Sequence, residues 1–154
     1  MKRITLGGQI DELLHPLVKR EQIEKGRIVK LTLTIEDGLV LKGDKKTHEK
    51  RFVIIGFTPD NKAIGANLIN TNPNLISEEI EHCQIPLKMS DYPQSLTHDS
   101  WLDCSEIFEI DIDRITSYGR DHGTLTDSDR ELVFDFLKET DVISNEDKSY
   151  YGLV

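Results

Sequence analysis

Hydrophobic and polar positions along this chain alternate in two different ways. From Ile28 to Ile35, apolar Val29, Leu31, Leu33 and Ile35 are interleaved with Lys30, Thr32 and Thr34. That period of two predicts a strand with one face in a core and the other wet, as in an antiparallel sheet or small barrel. From Lys50 to Phe57 the pattern is a continuous apolar run, Phe52-Val53-Ile54-Ile55, opened by Lys50 and Arg51. Such a run predicts a strand buried on both faces. Thr58 to Lys62 is turn chemistry, with Pro59 fixing φ and Asp60 and Asn61 able to close the turn through their own side chains. The return strand, Ala66 to Thr71, is stopped by Pro73, which cannot donate to a ladder. Antiparallel pairing of the two strands brings Arg51 close to Asn70 and Thr71. A guanidinium beside an amide and a hydroxyl at one sheet end is a candidate anion site.

The remaining segments are shorter. Asp11 to Glu21 has helical character with Ile10, Leu13, Leu14, Leu17 and Val18 on one stripe, and Pro16 either breaks it or opens a second helix over Leu17 to Glu24; the segment suits covering an open side of a sheet. Glu36-Asp37-Gly38 is a turn, and Leu39-Val40-Leu41 starts a short partner strand. Lys42 to Glu49 has no apolar residue and reads as a solvated loop carrying Lys45, Lys46 and His48. A helical turn over 75–81, an edge strand over 82–87 ended by Pro86, a loop over 88–99 and a strand over 100–110 follow. Asp111 to Ile115 predicts a single turn, and Tyr118 to Gly123 reads as irregular. The last firm element is a helix capped by Thr126 or Asp127, with Leu132, Val133, Phe136 and Leu137 on its apolar stripe. Beyond Thr140 the tail is polar and acidic until Tyr150-Tyr151-Gly152-Leu153-Val154. The sum is a mainly β fold with helical additions: a small antiparallel, partly closed barrel with a C-terminal helix. The expected organisation is a single domain over 1–154, with an extension at 1–25, a barrel core and closing helix at 26–140, and a tail at 141–154.

Composition narrows the function. A chain of 154 residues is long enough for one core without staples. No apolar run approaches the roughly 18–20 residues of a membrane helix, and the start lacks a signal-like stretch, so a cytoplasmic protein without membrane contact is expected. Cys83 and Cys104 have no CxxC spacing, which predicts two buried free thiols, no metal and no cofactor. The three histidines at 82, 98 and 122 have no ligand spacing either. Net charge is −9, which argues against nucleic acid, but its distribution changes the picture. Lys42 to Arg51 holds five basic and two acidic residues, net +3, whereas Asp127 to Asp147 is net −6. The basic segment leads directly into the central strand.

Four segments in order carry a family resemblance. Lys25-Gly26-Arg27-Ile28-Val29 resembles an opening strand of Gly, a polar residue and Ile or Val. Lys50-Arg51-Phe52-Val53-Ile54-Ile55 resembles an Arg-Pro-Val-Val-Val strand, with Phe52 in place of Pro. Asn70-Thr71 falls where a Thr or Thr-Ser pair follows the next strand. Ser100 to Ile107, Asp111 to Ile115 and Gly123-Thr124-Leu125 with its helix resemble a closing strand and helix, with Glu106 at a position commonly Gln. Over roughly residues 25–140 the chain resembles the PemK/MazF-type toxins of type II toxin–antitoxin systems, whose SH3-like barrel is shared with the CcdB-type toxins. The resemblance implies a homodimeric endoribonuclease that cleaves single-stranded RNA by 2′-hydroxyl attack without metal or cofactor, held inactive by a cognate antitoxin protein.

In that chemistry Arg51 stabilises the phosphorane, since its fork matches two phosphate oxygens and stays charged. Thr71 holds a non-bridging oxygen or the 2′-hydroxyl. His48, three residues upstream, has the pKa range of a proton carrier and is nominated on that ground, not by the resemblance. Lys45, Lys46, Lys50 and Asn70 contact the RNA, the lysines through phosphates and without reading sequence. Each feature also has a plainer reading: a surface-paired Arg, a turn Thr, a solvated lysine loop. An alternative function is therefore a non-catalytic SH3-like interaction module. An open groove shared by Arg51 and Thr71 distinguishes the first reading; an Arg51–Glu106 ion pair beneath residues 75–99 distinguishes the second.

Overall fold

In the computed structural model, which describes residues 15–39 and 47–154, six strands form one antiparallel sheet. They are β1 (Arg27–Thr34), β2 (Thr47–Phe57), β3 (Ala63–Asn70), β4 (Gln84–Leu87), β5 (Ser100–Asp111) and β6 (Arg120–Thr124), in the order β4-β5-β3-β2-β1-β6. Among the described residues four helices accompany them: α1 (Glu78–Glu81), α2 (Ile112–Tyr118), α3 (Asp127–Glu139) and α4 (Asn145–Tyr150). The fold is mainly β with helical additions and a helix near the C-terminus. Among the described residues no pairing joins β4 to β6, so the ladder is open and closure of a barrel is not seen. No helix of the described residues is long and apolar enough to cross a membrane.

The apolar run of β2 sits where a doubly buried strand belongs. Phe52, Val53, Ile54 and Ile55 are each fully buried, with β1 on one side and β3 on the other. Alternation sends Phe52 and Ile54 to one face, where they join Val29, Leu31, Leu33, Leu68 and Ile110 beneath Ile112 and Ile115 of α2. Val53 and Ile55 go to the other face with Ile28, Ile69 and Leu102, beneath Tyr92, Leu96, Val133 and Leu137. The segment between β4 and β5 is thus a strap lying over this second face, beside α3. Cys83 and Cys104 are buried free thiols, and burial pushes the Cys104 thiol well up.

Several expectations need correction. The Ile28–Ile35 alternation holds through Leu33, but Ile35 leaves the strand for a short 3-10 turn and is 62% exposed. There Gly38 takes φ 94, which a glycine adopts without steric cost. Thr47 to Glu49 belong to β2, because β1 extends far enough to pair with them. β3 begins at Ala63, three residues earlier than its polar approach suggested. The stretch 118–123, read as irregular, carries most of β6, which β1 recruits as an edge despite its poor β-formers Arg120, Asp121 and Gly123. The single turn at 111–115 is a helix of seven residues. On α3, Leu132 faces out at 54% exposure while Val133 and Leu137 are buried. The tail docks on the sheet: Ile143 from its polar stretch and Tyr151 and Leu153 from its apolar end enter the second-face core, and Tyr151 O accepts from Phe57 N–H. The 11–24 helix lies partly outside the described residues; from His15 onward there is only a 3-10 turn, Arg20–Gln22, and Leu17 bridges to Arg120 at the sheet edge.

Candidate active site

The site is built at one end of the sheet. Arg51 is opposite Ile69 on β3, and the Lys50 side chain reaches Asn70 at the end of that strand. Because neighbours along a strand face opposite ways, these two cations serve different faces. Lys50 shares the face of Phe52, and its ammonium donates to Asn70 Oδ1 at 2.5 Å. Burial pushes its pKa below the ordinary lysine value. Arg51 shares the face of Val53, Ile69 and the strap. On the same row, β1 places Lys30 directly opposite Arg51 and, on its other side, Arg120 of β6. Lys30 reaches Glu49 at 3.7 Å, which answers part of that charge.

Arg51 is half-buried, and its Nε is enclosed with no hydrogen-bond partner among the described residues. No ion pair joins it to Glu106 among those residues. Glu106 instead lies on an irregular stretch of β5, where its backbone carbonyl accepts from Asn67 Nδ2 at 2.9 Å. Its carboxyl is raised by burial and by nearby Asp103. An enclosed guanidinium N–H is costly when unsatisfied, and a phosphate oxygen is the strongest acceptor it could meet.

Thr71 directly follows β3 at the same end, two residues past the partner of Arg51. Its hydroxyl lies 3.3 Å from His98 Nε2, and the other ring nitrogen, Nδ1, lies 3.2 Å from Thr97 Oγ1. His98 belongs to the strap. The strap is fixed at both sides of this contact. Ser95 Oγ donates to His122 O, and Ser100 Oγ donates to His98 O at 3.0 Å. Leu96 is buried in the second-face core between these ties. Further back, Tyr92 Oη donates to Asp129 Oδ2 at 2.5 Å and accepts from Thr126 N–H at 3.1 Å, tying the strap to the start of α3.

Of the residues nominated from sequence, the structure brings Arg51, Lys50, Asn70 and Thr71 to one sheet end. His48 is on β2 opposite Leu33, on the face of Lys50, and so turns away from Arg51. Lys45 and Lys46 lie outside the described residues. His98 was passed over because its only sequence signal is a lone histidine in a polar loop; the contact with Thr71 arises from the strap's return to the sheet. Among the described residues, no cluster of three or more His, Cys, Asp or Glu side chains could hold a metal. The chain matches no model of a known protein family, and no curated protein matches it.

Proposed function

We propose that this sheet end binds a phosphodiester of single-stranded RNA and that the chain is a PemK/MazF-like endoribonuclease. The observation that carries the reading is Arg51: a half-buried guanidinium with an unspent enclosed donor, on the face and at the sheet end where Thr71 stands. In-line attack of a 2′-hydroxyl on the adjacent phosphate needs positive charge on the phosphorane and a hydroxyl to orient an oxygen. Arg51 supplies the first and Thr71 the second. Lys50 and Asn70, joined to each other on the opposite face, bracket the strand end and meet the flanking backbone. In this reading the protein acts on RNA in the cytoplasm as a homodimer, and a cognate antitoxin restrains it by occupying the same groove.

The test is incubation with mixed-sequence single-stranded RNA in EDTA. Wild type is expected to leave 2′,3′-cyclic phosphate ends, and Arg51→Ala and Thr71→Ala to lose that activity by 100-fold or more, by about the worth of one transition-state donor, while keeping the wild-type melting profile. No cleavage by folded wild type over many sequences refutes the nuclease.

A second reading rests on the strap. Tyr92 and Leu96 pack it onto the same face as Arg51, which favours a non-catalytic module whose groove is covered. RNA binding or cleavage by wild type counts against it.

A further inference from the structure

The nuclease reading leaves one role empty, the group that takes the 2′-hydroxyl proton. Arg51 cannot do so, since a guanidinium holds its charge throughout the working range. His48 is on the other face of β2. We infer that His98, carried in by the strap, is that base and therefore a catalytic residue; the inference rests on the nuclease reading of the same site.

Both ring nitrogens meet hydroxyls: His98 Nδ1 lies 3.2 Å from Thr97 Oγ1 and Nε2 lies 3.3 Å from Thr71 Oγ1. A hydroxyl can donate or accept, so in the tautomer that gives Nδ1–H to Thr97, Nε2 keeps its lone pair and accepts from the Thr71 hydroxyl. The proposed step uses that tautomer, with Nε2 as the basic nitrogen. The ring is exposed at the sheet end, where a substrate can reach it, and its backbone is held by Ser100 Oγ on its own carbonyl. Its acidic neighbour in the chain is engaged elsewhere: Asp99 Oδ1 accepts from Met89 N–H at 2.9 Å.

The step balances without a further reagent. A bound ribose 2′-hydroxyl takes the place of the Thr71 hydroxyl at Nε2 and gives its proton to that nitrogen. The 2′-oxygen then bonds to phosphorus while the bond from phosphorus to the 5′-oxygen breaks. The leaving 5′-oxygen takes a proton from water, and the imidazolium returns its own proton to solvent. Thr71 keeps the 2′-oxygen in line, and Arg51 answers the charge on the phosphorane. The strap that covers the second face also delivers the base, so its length is part of the site.

The experiment compares wild type, His98→Ala and His98→Gln on one cleavable RNA across pH 5 to 8. The expected wild-type kcat/KM rises with pH across that range, as a base that acts deprotonated requires. Both variants are expected to lose that limb and about 100- to 10,000-fold in kcat, with KM little changed. Added imidazole restores part of the His98→Ala rate. A His98→Ala enzyme that keeps the wild-type rate and limb overturns the assignment and leaves the nuclease intact. A KM rise alone, with the limb retained, overturns it too. If wild type cuts no RNA, the nuclease reading falls first and this one with it. A parallel titration with an uncleavable 2′-deoxy oligonucleotide, read on the His98 ring resonances, is expected to move them in wild type and not in Arg51→Ala. Unmoved resonances in wild type with bound oligonucleotide overturn the placement of the base.

Discussion

Replacing Gly56 by alanine tests how the end of the chain is held against the sheet. Gly56 is in β2, and a Cβ built there falls 2.1 Å from Tyr151 O and 3.1 Å from the Tyr151 carbonyl carbon and Cβ. A close carbon–oxygen contact needs about 3.3 Å, so strand and tail must separate by about 1 Å. The Phe57 N–H to Tyr151 O bond, now 3.1 Å, cannot survive that movement. Its loss costs about 1 kcal/mol. Tyr151 and Leu153 are 9% and 3% exposed in the second-face core, and displacing them costs about 1.5–3 kcal/mol each. The variant therefore loses about 4–7 kcal/mol, or sheds its tail to avoid part of that loss. Against a total of about 5–15 kcal/mol for a domain, either result is large. Urea denaturation with hydrogen exchange at the Leu153 amide, which donates to Lys148 O at 2.7 Å, separates the two outcomes. The control is Gly123→Ala, where φ is +87 but no atom lies within 4 Å of the new Cβ, leaving only about 1–2 kcal/mol of backbone strain. A Gly56→Ala protein within about 1 kcal/mol of wild type, with Leu153 still protected, refutes the packing argument.

Two further predictions concern stability and pH. Arg114 holds the Asp37 carboxyl below its ordinary value of 3.8, through Nη2 at 2.9 Å from Oδ2, and the Thr34 N–H adds a bond at 2.6 Å. A carboxylate depressed in the folded state adds stability above the unfolded pKa and loses it as pH falls through the folded one. Asp37→Asn should therefore be about 1.5–3 kcal/mol less stable at neutral pH and decline less steeply below pH 4, as followed by melting temperature. Burial, with the Asp129 carboxylate beside it, pushes Tyr92 up to about 12, so stability present below the ordinary tyrosine value of 10 falls as pH rises toward 12. Tyr92→Phe should flatten that alkaline decline, and by leaving Thr126 N–H and Asp129 short of a partner it should cost about 1–3 kcal/mol at pH 7; an unchanged alkaline limb in the variant's urea midpoints refutes the assignment.

The elements with strong local patterns were legible. Phe52 to Ile55 could only be a strand covered on both sides, and Thr126 before Asp129 marked the start of α3 through a cap that does form, at 3.2 Å. The antiparallel pairing that sets Arg51 opposite Ile69, one residue before Asn70, also followed, because a tight antiparallel connection fixes register to within a residue or two. That half of the candidate site lies on one hairpin, where sequence neighbours are spatial neighbours. The rest lies between elements far apart in the chain. β6 is a strand because β1 offers it an unpaired edge, and nothing in Arg-Asp-His-Gly-Thr encodes that offer. The tail is core because the cleft beside Gly56 accepts Tyr151, a place its apolar last residues do not by themselves specify. His98 meets Thr71 across 27 positions only because Leu96 anchors the strap over the second face. By itself the sequence determined the centres of β1 and β2, the faces they bury and the hairpin that carries Arg51, since those depend on periodicity and turn chemistry. Tertiary structure decided the edge strand, the docked tail and the imidazole beside Thr71, since those depend on which surfaces were left for distant segments to cover.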